Sequence, residues 1–88
     1  MIVDIAHAKN PAAGWDVDVT VTAEGKETVA HVRIDINGFT KCDEEVSPAA
    51  RRWHRQLPQQ GEYPGDNSVV ATATDGDGED TTSVDEWS

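Results

Sequence analysis

Apolar and polar residues alternate along most of this chain, and the period is two. From Trp15 to Ala23, apolar side chains hold every odd position and polar ones every even position. That pattern predicts a β-strand with one buried and one wet face. Ile2 to Ala8 reads as a shorter strand, with Val3 and Ile5 on one face and Asp4 on the other. Asn10-Pro11-Ala12-Ala13-Gly14 breaks it. After Glu24-Gly25-Lys26-Glu27, a turn of hairpin length, the alternation resumes with Ala30, Val32, Ile34 and Ile36 in phase. Asn37-Gly38 is a strong turn pair, and a further strand is expected from Phe39 to about Glu44. Gln59 to Asn67 reads as a loop. Val69, Ala71 and Ala73 then alternate with Val70, Thr72 and Thr74. The two Asp-Gly pairs of Asp75-Gly76-Asp77-Gly78 predict a hairpin, with Thr81 to Trp87 as the returning strand.

Ser47 to Leu57 reads two ways. Ser47 can cap a helix with Pro48 in its first turn, and Trp53 and Leu57 would then stack at i and i+4. As a strand, Trp53 and Leu57 also share a face. The surrounding pattern favours a strand over Trp53–Leu57, with one short helical turn near residues 48–55 ahead of it. Six or seven short strands joined by turns predict an all-β fold, an antiparallel β-sandwich of about seven strands in a single domain over residues 1–88.

Several of these residues also carry a resemblance. Ile34-Asp35-Ile36-Asn37-Gly38 is followed by Trp53 with Leu57 four residues on. Gly61 and Gly65-Asp66-Asn67 lead into the Val69–Asp75 run and Gly78. From about Val17 to Val84 the chain resembles the bacterial and archaeal Ig-like domains of secreted and cell-surface proteins. The resemblance implies an Ig-like sandwich in an extracellular or surface setting. Its motifs are structural and imply no activity.

Composition first pulls the other way. Leu, Ile, Val and Phe make up only 16 of 88 residues, and the formal net charge is -10. Those values border on disorder. The tilt toward β-branching, 14 Val and Ile against a single Leu, and the phase of those residues restore the globular expectation. With 17 Asp and Glu against seven Lys and Arg, direct nucleic-acid binding through phosphates is not expected, nor is an anionic membrane surface. No apolar run approaches the ~18 residues of a membrane span, so no membrane insertion is expected. The opening Met1-Ile2-Val3-Asp4 lacks the basic and apolar regions of a signal peptide. Abundant Asp with only three Lys also suggests adaptation to high salt.

Candidate chemistry is sparse. Asp75, Asp77, Glu79 and Asp80 could offer oxygens to calcium, although the spacing is not that of an EF-hand; no other cofactor is expected. His7, His31 and His54 fall on three different strands, which argues against zinc. Cys42 sits among Asp43, Glu44 and Glu45, which disfavour its thiolate, and no nucleophile-elbow context surrounds Ser47 or Ser68. An enzyme is not expected. Arg51, Arg52, Trp53 and Arg55, with His54, form the one basic island and the candidate binding residues, for a sugar, a carboxylate partner or a phosphate. Two functions follow as expectations. One is a non-catalytic module for adhesion, spacing or assembly, with a protein or carbohydrate partner or neighbouring domains of a larger chain. The other is a small acidic inhibitor that imitates nucleic acid.

Overall fold

A computed structural model of the chain describes residues Met1–Ser88. Seven strands follow one another: β1 (Ile2–Lys9), β2 (Trp15–Thr22), β3 (Val29–Ile36), β4 (Phe39–Ala50), β5 (Arg52–Gln60), β6 (Asn67–Asp75) and β7 (Asp80–Trp87). They form two antiparallel sheets, one of order β1-β2-β5 and one of order β4-β3-β6-β7. The two-faced strands of the sequence require this stacking. A lone sheet would leave the Val and Ile stripes of β2, β3 and β6 in water.

The inner faces meet in one core. Val17, Val19 and Val21 of β2 lie with Val32, Ile34 and Ile36 of β3 and with Val69, Ala71 and Ala73 of β6, while Trp53 of β5 closes one flank. Ile34 and six valines are fully buried. Burial of each such side chain contributes about 1.5–3 kcal/mol, which is how few large residues suffice here.

Four expectations are corrected. Glu24 to Thr28 is not a hairpin: β2 pairs with β1 and β5, and β3 with β4 and β6, so this segment carries the chain from one sheet to the other. A bulge in β3 between Val29 and His31 shifts the phase, and Val29 is buried where Ala30 is expected. No helical turn forms near residues 48–55. β4 runs on through the cis Ser47–Pro48 peptide to Ala50, which pairs with Val29, and Arg51 alone separates it from β5. Sheet pairing outweighs the local capping signal there. β5 also extends to Gln60, into the expected loop.

The two lateral seams are polar. At one, the Ser83 hydroxyl of β7 donates to the Val3 carbonyl of β1 at 2.8 Å, and His7 pairs with Asp85. At the other, Arg55 of β5 pairs with Glu44 of β4.

Candidate functional site

Strand geometry divides the basic island. Successive side chains of β5 point to opposite faces. Trp53 is therefore buried in the core, with the Arg55 guanidinium 5.4 Å from its ring centre and paired to Glu44. Arg52 and His54 lie on the outer face, where they line a shallow depression with Thr20 and Trp53. His54 is held there by Asp18 at 2.7 Å. Arg51, at the corner between sheets, donates to the Glu27 carbonyl. The four expected binding residues thus face three directions, and only Arg52 of the three arginines is left without a partner.

The expected calcium site does not assemble. Asp75 is buried at the end of β6, where its Oδ1 accepts from the backbone N–H groups of Asp77 (2.9 Å) and Glu79 (3.0 Å). Its carboxylate holds the β6–β7 turn. Asp80 accepts from the Thr74 hydroxyl at 2.7 Å. No three His, Cys, Asp or Glu side chains of the chain gather into a group that could hold a metal ion. Each histidine instead meets one aspartate: His31 with Asp43 at 2.6 Å, His54 with Asp18, and His7 with Asp85. Cys42 is buried, and its thiol pKa is raised first by that burial and then by Glu44 and Asp43, against the opposing Arg55 charge. The thiol stays protonated at neutral pH.

Two features escaped the sequence pattern. The first is an aromatic cluster at the end of the sandwich where β1 finishes. The His7 ring stacks on Trp87 at 4.2 Å and meets Trp15 edge-on at 5.5 Å. Trp87 is therefore a partner of the first strand, partly buried against the core. The Trp15 indole N–H reaches across to the Glu62 carboxylate. The second is a cleft of about 200 Å³ beside Glu62, bounded by Phe39 and Lys41 at the start of β4, by Gln60 at the end of β5 and by Gly61 and Tyr63 after it. Phe39 and Tyr63 are 58% and 50% exposed. The signal available in the sequence was their context. Each is a large apolar residue outside any alternating run, one directly after a turn pair and one inside a loop.

Asn67, behind the cleft, anchors the loop that carries Tyr63. Its side chain is buried and makes four hydrogen bonds. It accepts from the Tyr63 N–H (2.9 Å) and the Asn37 amide (3.0 Å), and donates to the carbonyls of Tyr63 and Gly65 (3.2 Å each). Asn37 in turn accepts from the Ser68 N–H at 2.9 Å. The β3–β4 turn and the β5–β6 loop are thereby fixed to one another.

No protein-family model, curated protein or solved structure matches the chain. No helix in it is long and apolar enough to cross a membrane.

Proposed function

We propose that this chain is a non-catalytic Ig-like module of a secreted, cell-surface or virion protein, working in adhesion, spacing or assembly. One observation carries the reading. β1 enters at one end of a sandwich 41 Å long and β7 leaves at the other, side by side and in the same direction. Modules joined through such strands lie in line, and tension between them shears the β1–β7 seam instead of peeling strands apart. The strand order supports the Ig-like likeness. In constant-type Ig sandwiches the third strand pairs with the sixth and the first with the second, as here. The fourth strand differs, since it joins the third and not the fifth. Four of the acids lie beside Arg33 or a histidine: Asp35 with Arg33, Asp85 with His7, Asp43 with His31 and Asp18 with His54. That favours a module over a nucleic-acid mimic.

Single-molecule pulling of tandem copies tests this. End-to-end loading is expected to give discrete steps of roughly 250–280 Å, the extended length of the chain at ~3.3–3.6 Å per residue less the folded length. The force is expected to exceed that for pulling between Gly38 and Gly65, two loops at the same end. An end-to-end force no greater than the loop-to-loop force would refute the spacing role.

A further inference from the structure

We propose that the cleft between Phe39 and Tyr63 is a sugar-binding subsite that takes one neutral pyranose ring. The inference rests on the reading of the chain as a binding module and names its ligand.

Four large apolar residues are exposed: Ile2, Phe39, Tyr63 and Val84. The two aromatic ones share a single concave site. Its volume of about 200 Å³ lies below the ~300–1,000 Å³ of pockets for drug-sized ligands, so the occupant is one ring and not an extended molecule. The polar lining is amphoteric. The Lys41 ammonium sits 5.8 Å from the centre of the Phe39 ring and enters no ion pair, leaving its donors for a ligand. Glu62 supplies an acceptor, Gln60 an amide, and the Tyr63 hydroxyl either role. One positive and one negative side chain cancel locally, while the chain as a whole carries -10 and repels anions.

A neutral pyranose matches each of these features. One face of the sugar ring is a sheet of C–H bonds, weakly positive and apolar, which suits the negative face of an aromatic ring. Its rim is a set of hydroxyls that both donate and accept. Stacked on Phe39 or Tyr63, that rim falls beside Lys41 and Glu62. The site is also preformed. Asn67 holds the Tyr63 backbone through both its N–H and its carbonyl, and Trp15 holds the Glu62 carboxylate. Little conformational freedom is lost on binding.

The test is amide NMR of the isotope-labelled full chain titrated with the methyl pyranosides of glucose, galactose, mannose and N-acetylglucosamine, with galacturonate as the acidic comparison. At least one neutral sugar is expected to give saturable shifts in the millimolar range at Phe39, Lys41, Gln60–Tyr63 and the Trp15 indole N–H. Phe39→Ala and Tyr63→Ala are each expected to weaken it by about tenfold or more. Unmoved core resonances of Val19 and Ile34 report that these surface variants stay folded. Absence of saturable shifts with all four neutral sugars overturns the proposal. So do unchanged shifts in a variant carrying both Phe39→Ala and Tyr63→Ala, or tighter binding of galacturonate than of the galactoside. If the sugars fail while the pulling experiment keeps its steps and its force difference, the ligand assignment falls and the module reading stands.

Discussion

Asn67 joins the fold to the cleft, and Asn67→Ala measures that junction. The side chain is 4% exposed and makes four hydrogen bonds. Each is worth about 0.5–1.5 kcal/mol net. The Gly65 carbonyl and the Asn37 amide lie close enough to the surface to recover water, so the expected loss is about 2–4 kcal/mol rather than the full sum. In a domain of this size 1 kcal/mol moves Tm by about 4–8 °C, which places the fall at roughly 10–30 °C. Thermal and guanidinium unfolding followed by far-UV circular dichroism measure it. Amide exchange supplies the local readout: the N–H groups of Tyr63 and Ser68 should lose protection, the first directly and the second because Asn37 is released. Asn67→Asp keeps the acceptor but turns a buried carboxylate oxygen toward the Tyr63 and Gly65 carbonyls, so at neutral pH its loss should be at least as large. A change below about 0.5 kcal/mol for Asn67→Ala, within the range of an ordinary surface substitution, would refute the assignment of Asn67 as the anchor of both loops.

Four further outcomes follow from the same geometry. Because burial raises its thiol pKa, Cys42 should react with a thiol reagent at pH 8 far more slowly in the native protein than in guanidinium; equal rates would place it outside the core. The Asp16 carboxyl is held below its ordinary 3.8, chiefly by the Asn10 amide and then by the Gln59 N–H. Its contribution to stability is therefore complete above 3.8 and fades as pH falls through the lower folded value, and Asn10→Ala should blunt that acid limb in a pH series of melts. The Met1 amino group is raised above 8.0 by Glu27 and then Glu24. Its contribution is full below 8.0 and is lost as pH climbs through the folded value, so Glu27→Gln should flatten the alkaline limb. With 17 acids and only Arg33 and Arg55 among the Lys and Arg side chains in ion pairs, melting temperature should rise between about 20 mM and about 2 M KCl as ions screen the self-repulsion; identical melts would end the high-salt reading.

The strands were legible where both faces obeyed the alternation. β2 and β6 carry Val or Ala at their central inward positions, with Trp15, Asn67 and Asp75 in the same phase at the strand ends, while their Thr residues and the Asp residues of β2 face outward. β4 was legible only in its first half. Its inner face reads Cys42, Glu44, Val46, and the acid disguises the stripe because its partner Arg55 lies on a strand of the other sheet. The Ser47-Pro48 helix signal is local, whereas the pairing of Ala50 with Val29 that overrides it is not. The same separation hid the change of sheet after Thr22: a six-residue connection with a glycine fits a hairpin and a crossover equally well. Among the candidate sites, the division of the basic island was implicit in the period of two, since Arg52 and Trp53 cannot face the same way on one strand. The cleft was not legible. Phe39 and Tyr63 meet only because Asn37 and Asn67 join their loops, and no periodicity encodes that contact.

The central claim is that the valines of β2 and the aliphatic residues of β3 and β6 meet across a water-free layer between the sheets. Methyl–methyl NOE spectroscopy of the labelled chain tests it most directly. Cross-peaks are expected from the methyls of Val17, Val19 and Val21 to those of Val32, Ile34 and Val69, with no exchange of these methyls to water. Strong water NOEs at Val19 and Ile34, with no peaks between the two groups of strands, would contradict the account.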